Sequence, residues 1–330
     1  IKKLQDELEE AKQRNEFELC VELSNRIKGL QQSEPAEAAG ELNDTERDLL
    51  YRYQEFNALT SKTDEQINVS ADLKVKNVTS NLGSQLTDFF SCVLRIDNLK
   101  LTSAQLDFSR VEPIDSVADS RRAKNIFRSN RDNVRVYPVV ENFGEGILFA
   151  FSSDRILQHT TDAQRFRALF DRPRSKFAAN AVQLARTRDW PLYLIHTFSH
   201  LIMRELEFRC GYPTASLSER LYVSNQQETQ MYGCMIYTSE GAEGSMGGLI
   251  AQTREGNLND LILSALKRAT ICNSDPLCWE SEGQGLFDLN LASCFFCSLV
   301  SETSCEQRNI YLDRRQLVDD AFGFFKDVLS

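Results

Sequence analysis

Long apolar runs are missing from this sequence, which excludes a membrane-spanning helix. The densest apolar stretch, GILFAF at 146–151, has the length of a strand, whereas a membrane span needs about 20 apolar residues. We also expect no signal peptide, and the odd count of nine cysteines is not typical of a secreted disulfide framework. These absences indicate a cytoplasmic protein with reduced cysteines and no membrane partner. Since the chain begins at Ile1, we expect it to be part of something longer.

The sequence has fewer positively charged than negatively charged residues. Lysine and arginine number 38 against 48 aspartate and glutamate residues, and the net charge is −10. This balance excludes a surface that is basic all over, although a local basic stripe that contacts DNA phosphates remains compatible with it. The candidate stripe consists of Arg121, Arg122, Lys124, Arg128 and Arg131. A solvated loop is the alternative interpretation, because acidic residues are interspersed there.

Nucleotide-binding motifs are absent as well. The chain contains neither the GK[ST] ending of a Walker loop nor GxGxxG, so the sequence predicts neither a motor nor a dinucleotide-binding activity. Its glycine-rich stretch EGSMGGL, residues 243–249, leads toward a predicted helix. Backbone N–H groups of such a loop can bind phosphate, but tight backbone packing explains the glycines equally well.

The most informative feature that is present is a group of cysteines near the end of the chain. Five of the nine lie there: Cys272, Cys278, Cys294, Cys297 and Cys305. Thiolates are preferred ligands of Zn²⁺, and a C-x2-C pair such as Cys294 and Cys297 lets two sulfurs reach one ion. Cys278 and Cys305 flank that pair and are predicted to complete a structural zinc site, with Cys272 as the alternative ligand. Buried unliganded cysteines, disulfides and redox chemistry are the competing interpretations.

Two histidines lie one turn apart in a predicted apolar helix. His196 and His200 share one face of that helix, but Thr197 and Phe198 stand between them, where an HExxH motif would carry a general base. The main interpretation is a buried, hydrogen-bonded pair that packs against the sheet. A second metal site or a catalytic centre is the alternative.

Two glutamates supply the carboxylates that a nuclease-like or hydrolytic centre would need. Glu141 and Glu145 lie in VRVYPVVENFGEGILFAFS, residues 134–152, where Gly144 and Gly146 predict the turn of a β-hairpin. Turn glutamates that face solvent are the simplest interpretation. An enzyme would instead combine them with the histidine pair in a metal-dependent centre.

Periodicity divides the chain into four parts. Residues 1–31 form a predicted helical hairpin around Asn15, which resembles the UVR motif of UvrB and UvrC and thereby implies protein docking; a surface hairpin is the alternative. Residues 32–44 have the composition of a linker. Residues 45–265 alternate strands and helices, which predicts an α/β fold with a mixed sheet. Residues 266–330 form a predicted zinc-stabilised subdomain with a C-terminal helix.

The order of four stretches makes the sequence similar to a known family. ENFGEGI, HTFSHLIMREL, MIYTSEGAEGSMGGL and DPLC…CFFC…ETSCEQRNIYLDR follow one another as in the helicase-associated domain of unknown function. That domain ends the MrfA-type repair helicases and is shared by the DrmB-like proteins of the DISARM antiphage system. The DPxC and ETSCE…LDR elements resemble the DrmB-like members more closely, and the resemblance runs from about residue 45 to 320.

The resemblance implies a non-catalytic accessory subunit rather than a motor. Such a subunit docks on a DrmA-like DNA helicase, assists DNA binding and carries Zn²⁺ on Cys278, Cys294, Cys297 and Cys305, with Cys272 in reserve. A metal-dependent nuclease or hydrolase and a pure protein-interaction scaffold are the two competing functions.

Overall fold

The computed structural model describes residues 44–105, 137–238 and 247–329, together with Leu8 and Ala11. The chain divides into two compact units, Ile1–Lys62 with Ala104–Val139 and Thr63–Ser103 with Val140–Ser330. Helix α1 (Asp44–Thr60) belongs to the first unit. The predicted hairpin at 1–31, apart from the two residues above, and the predicted linker up to residue 43 lie outside the described residues.

A five-stranded sheet forms the centre of the second unit. Its strands are β1 (Leu73–Asn77), β2 (Phe90–Ala104), β3 (Val139–Phe151), β4 (Leu217–Ser224) and β5 (Met231–Thr238). The spatial order is β1-β2-β3-β5-β4, and the pairs β1/β2, β3/β5 and β4/β5 are antiparallel. The predicted α/β fold is confirmed. The sheet is antiparallel where the sequence predicted a mixed one, since short loops such as that between β4 and β5 join antiparallel neighbours.

Nine further helices follow α1 in the described part of the chain. They are α2 (Asp64–Ile67), α3 (Ser84–Thr87), α4 (Ser153–Gln158), α5 (Ala163–Phe170), α6 (Lys176–Cys210), α7 (Gly248–Gln252), α8 (Asn257–Ala269), α9 (Arg315–Val318) and α10 (Lys326–Leu329). No described helix is both long and apolar enough to cross a membrane.

Helix α6 is interrupted near its middle and its second half is the core helix of the unit. Asp189 adopts a left-handed φ of 50°, two residues before Pro191, which has no N–H to donate and would clash with the preceding turn. Beyond the break every residue from Pro191 to Met203 is buried. The half-helix packs against β4, β5 and α8, which is why its sequence is apolar on almost every face.

The hairpin predicted over residues 134–152 is wrong, because strand β3 occupies this part of the chain. The strand runs from Val139 to Phe151 without a turn, straight through Gly144 and Gly146. These glycines serve close strand packing: a Cβ atom on Gly144 would lie 2.5 Å from the carbonyl oxygen of Thr238, and one on Gly146 would lie 3.0 Å from that of Ile236. Glycine in a strand therefore marks a close backbone approach here rather than a turn.

The segment after α8 has little regular structure, although much of it is buried. Two single 3-10 turns, Leu286–Asp288 and Glu302–Ser304, are its longest elements before α9. Backbone hydrogen bonds from Leu291 to Leu312 and from Arg314 to Ala292 hold its two arms together. Because this buried segment has few backbone hydrogen bonds of regular secondary structure, side-chain contacts are needed to fix its conformation.

Candidate metal centres

Four cysteines bring their sulfur atoms together at one point of this segment. Cys272, Cys278, Cys294 and Cys297 have their Sγ atoms within 4.8 Å of one another. The separations are 3.4 Å between Cys272 and Cys294, 3.8 Å between Cys278 and Cys297, and 3.8 Å between Cys294 and Cys297. All four are free thiols. The structure therefore brings Cys278, Cys294 and Cys297 together with Cys272, and Cys305 lies outside this group.

The sulfur separations fit a tetrahedral metal site. In a zinc tetrahedron with Zn–S bonds of about 2.3 Å, neighbouring sulfurs lie about 3.8 Å apart. A disulfide would require about 2.0 Å. The sulfurs also accept backbone hydrogen bonds, from Ser274 N–H to Cys272 and from Cys294 N–H to Cys297. These residues therefore offer a closed four-thiolate site of the kind that zinc occupies.

The pKa values of the cluster cysteines are shifted in opposite directions. The hydrogen bond from the Cys278 thiol lowers the pKa of Cys297 to about 5, and the Ser298 hydroxyl contributes. The same hydrogen bond, together with burial, raises the pKa of Cys278. Burial raises the pKa of Cys272 to about 11. The hydrogen bond from Cys278 therefore favours the thiolate form of Cys297, which is the form that a metal ligand must have.

A side-chain turn brings Cys272 into the cluster. Asp275 accepts a hydrogen bond from Cys272 N–H at 2.9 Å and donates its own N–H to the Cys272 carbonyl. Arg314, fully buried, holds Asp275 with one guanidinium nitrogen and donates another to the Ala269 carbonyl at 2.8 Å. Its guanidinium also lies 4.6 Å from the ring centroid of Trp279. Arg314 thus holds the loop that carries Cys272 through Ala269 on one side and Asp275 on the other.

A second group of ligand atoms lies where α6 meets β4. His196, His200, Glu219 and Cys305 have one ligand atom each within 4.8 Å of one another. Nε2 of His196 is 3.0 Å from Oε1 of Glu219 and 3.2 Å from Sγ of Cys305. Cys305, predicted as a ligand beside Cys278, lies in this second group instead, directly after the turn Glu302–Ser304. The prediction that both histidines are buried is confirmed.

Burial and charge set the protonation of this second group. Burial alone would raise the pKa of Glu219, but the facing His196 and His200 lower it well below its usual range. Burial, with a contribution from His196, lowers the pKa of His200. Burial raises the pKa of the Cys305 thiol. The facing histidines therefore favour the ionised form of Glu219.

The two glutamates of strand β3 make other contacts. Glu141 is exposed and its carboxylate lies 3.0 Å from Lys100 Nζ. Glu145, interpreted from the sequence as a solvent-facing turn residue, is fully buried. Its carboxylate accepts hydrogen bonds from Gly247 N–H at 2.7 Å, Leu249 N–H at 2.9 Å and the Tyr212 hydroxyl at 3.1 Å. The glycine-rich loop therefore directs N–H groups to an internal carboxylate.

We expect Glu145→Ala to lower the free energy of unfolding by about 3 kcal/mol, because it leaves buried N–H donors without a charged acceptor. Urea unfolding of the variant beside the parent protein measures this difference. Glu141→Ala is the matched control, and loss of its exposed ion pair should leave the free energy of unfolding almost unchanged. Equal shifts for the two variants would contradict the assigned role of Glu145.

The predicted DNA-contacting residues Arg121, Arg122, Lys124, Arg128 and Arg131 lie outside the described residues. Sequence reasoning also missed three residues of the centres: Glu219, Arg314 and Arg204. Arg204 donates to the carbonyl oxygens of Phe296 at 3.1 Å and Leu299 at 2.8 Å. Glu219 lies on a strand with no motif. Arg314 belongs to the LDR stretch that the resemblance singled out, so its position was detectable although its role was not.

The fold and the centres together define a class of protein: an α/β domain with one group of thiols in its C-terminal segment and a second group of imidazole, carboxylate and thiol ligands where that segment meets α6 and β4. No family model matches the chain. The chain is 31% identical over 257 residues to the DISARM protein DrmB of Bacillus paralicheniformis. The aligned residues cover 73% of this chain and 44% of that relative. The chain is therefore a DrmB-like protein, as the resemblance predicted. It spans less than half the length of the relative it matches.

Proposed function

We propose that this chain is a non-catalytic, zinc-binding accessory subunit in bacterial antiphage defence, acting in the cytoplasm. The similarity to the DISARM protein DrmB carries the proposal. The zinc would be structural, held by Cys272, Cys278, Cys294 and Cys297, whose sulfurs have the separations of a zinc tetrahedron. Because the segment around them has little regular structure, the metal would supply cross-links that the backbone does not.

The proposed partner is a DrmA-like DNA helicase, and the surface around the four-cysteine cluster supports docking. Each cluster cysteine has an exposed apolar neighbour in the sequence, and these neighbours are Ile271, Leu277, Phe295 and Phe296. Phe295 is 74% exposed and Leu277 is 83% exposed. Apolar side chains grouped at a rigid site typically mark a protein interface. Arg204 fixes the loop that carries the two phenylalanines.

We expect Phe295→Ser combined with Phe296→Ser to weaken co-purification with the helicase at least tenfold while the metal content and the melting temperature stay unchanged. Loss of an aromatic anchor at the centre of an interface commonly costs about 2 kcal/mol or more. The matched control is Leu157→Ser, which alters an exposed apolar residue on α4. Undiminished co-purification of the double variant would remove this surface as the docking site.

Assistance in DNA binding is the remaining part of the proposal. The basic residues at 121–131 stay the predicted phosphate contacts. If they act this way, the DNA affinity of the helicase complex falls steeply with salt, and their replacement reduces the slope. A pure scaffold would leave the salt dependence of the helicase unchanged. The hydrolytic alternative has less support, because Glu141 and Glu145 bind other groups and the histidine pair is fully buried.

A further inference from the structure

In the second ligand group, the position of His200 Nε2 beside Glu219 is not explained by a hydrogen bond. Nδ1 of His200 lies 2.9 Å from the carbonyl oxygen of Ser298. A carbonyl only accepts, so Nδ1 carries the proton and Nε2 of the neutral ring presents a lone pair. That Nε2 lies 3.6 Å from Oε1 of Glu219, and it is buried with no hydrogen-bond partner. A lone pair facing a buried carboxylate indicates a cation between them.

The sulfur in the group is also prepared as a ligand. Sγ of Cys305 accepts backbone N–H groups from Gln307 at 3.3 Å and Asn309 at 3.1 Å. The N–H groups around a metal-bound thiolate point at its sulfur in this way, since they stabilise negative charge. In the four-cysteine cluster, Cys294 N–H likewise donates to the Cys297 sulfur, at 3.2 Å. Both groups therefore direct backbone N–H donors at a cysteine sulfur.

The separations within the group have the size of a metal coordination shell. With Zn–N and Zn–O bonds of about 2.0–2.2 Å and a Zn–S bond of about 2.3 Å, tetrahedral ligand atoms lie about 3.3–3.6 Å apart. The observed separation from Glu219 Oε1 to His200 Nε2 is 3.6 Å, within this range. Those from His196 Nε2 to Glu219 Oε1 and to Cys305 Sγ are 3.0 Å and 3.2 Å, slightly below it. The other carboxylate oxygen, Oε2 of Glu219, is buried with no hydrogen-bond partner.

We propose that His196, His200, Glu219 and Cys305 form a second metal site, distinct from the four-cysteine cluster and closed to solvent. Two imidazoles, one thiolate and one carboxylate suit Zn²⁺ among the common divalent ions. The contact from His200 to Ser298 fixes the ring tautomer, as hydrogen bonds to metal-bound histidines do. With all four ligands supplied by the chain, no position is left for a substrate. The ion is structural and ties α6 and β4 to the loop around Cys305.

The first test needs no variant. Elemental analysis of the purified chain is expected to find about two zinc ions per chain. X-ray absorption at the zinc edge is then expected to give an average shell of five sulfurs to three nitrogen or oxygen atoms, because the second group contributes only one sulfur. One zinc per chain with an all-sulfur shell overturns the second site and leaves the four-cysteine site standing. No metal overturns both.

A variant assigns the ions to the two groups. We expect Cys305→Ala to retain one zinc with an all-sulfur shell, and Zn²⁺ added back to the metal-free variant to restore one equivalent rather than two. Cys92→Ala is the matched control, because Cys92 is buried on β2 outside both groups, and it should keep two. Two zinc ions in Cys305→Ala would overturn the assignment. If Cys305→Ala does not fold, the shell of the parent protein still decides the question.

Discussion

Replacing Cys294 and Cys297 together by serine is expected to remove zinc from the four-cysteine cluster and to unfold the C-terminal segment. Binding of structural zinc contributes about 10–16 kcal/mol in small zinc-dependent modules. That is comparable with the whole stability of a typical domain, about 5–15 kcal/mol. Protease digestion and circular dichroism, measured beside zinc content, should show a shortened product and a melting temperature lowered by more than about 10 °C.

The control for this double variant is Cys92→Ser with Cys210→Ser, which changes two thiols outside both ligand groups. It should keep its zinc and lose only about 1–2 kcal/mol per site. A strong chelator applied to the parent protein should reproduce the effect of losing Cys294 and Cys297. A chelated protein that melts at the same temperature as the zinc-loaded one would mean that the cluster has no structural metal.

Arg314→Met is expected to lower the free energy of unfolding by about 3–5 kcal/mol and to weaken zinc binding about 10–100-fold. The substitution leaves Asp275 without its guanidinium partner and the Ala269 carbonyl without a donor. Asp275 is the residue that turns Cys272 toward the other sulfurs. Competition with a chromophoric zinc chelator measures the affinity, and urea unfolding of the zinc-loaded protein measures the stability.

An exposed ion pair provides the comparison for Arg314. Arg186 binds Asp171 at 2.8 Å with both side chains largely exposed, so Arg186→Met should cost about 0–1 kcal/mol and leave zinc binding unchanged. If Arg314→Met matched this control in zinc affinity, the arginine would support the fold without positioning the cluster.

Spacing along the chain predicted part of the four-cysteine cluster and not the rest. The C-x2-C pair fixes Cys294 and Cys297 on one turn, so their proximity is local information. Cys272 joins them through the Asp275 side chain, and Cys305 turns toward α6. Nothing in the spacing distinguishes these two paths. The choice between Cys272 and Cys305 depends on long-range packing, which a single sequence does not reveal.

Strand β3 shows the same limit for the fold. Gly144 and Gly146 carry a turn signal, but β5 leaves no room for a side chain at Gly144 and little room at Gly146. The identical sequence pattern therefore has two structural causes, a turn and a close strand neighbour. Likewise, EGSMGGL has the glycines of an anion-binding loop, and its anion is the chain's own Glu145. Such internal partners become visible only when distant segments meet.

Ser298 has a consequence for how the two ligand groups can vary. Its hydroxyl lies 3.3 Å from the Cys297 sulfur, while its carbonyl oxygen accepts from His200. Any residue supplies the carbonyl, but only a hydroxyl-bearing side chain supplies the other contact. Because one peptide serves both groups, a shift of this loop displaces a ligand contact in each. The two ligand groups are therefore coupled through Ser298. We expect an insertion or deletion between Cys297 and Cys305 to disturb the geometry of both groups.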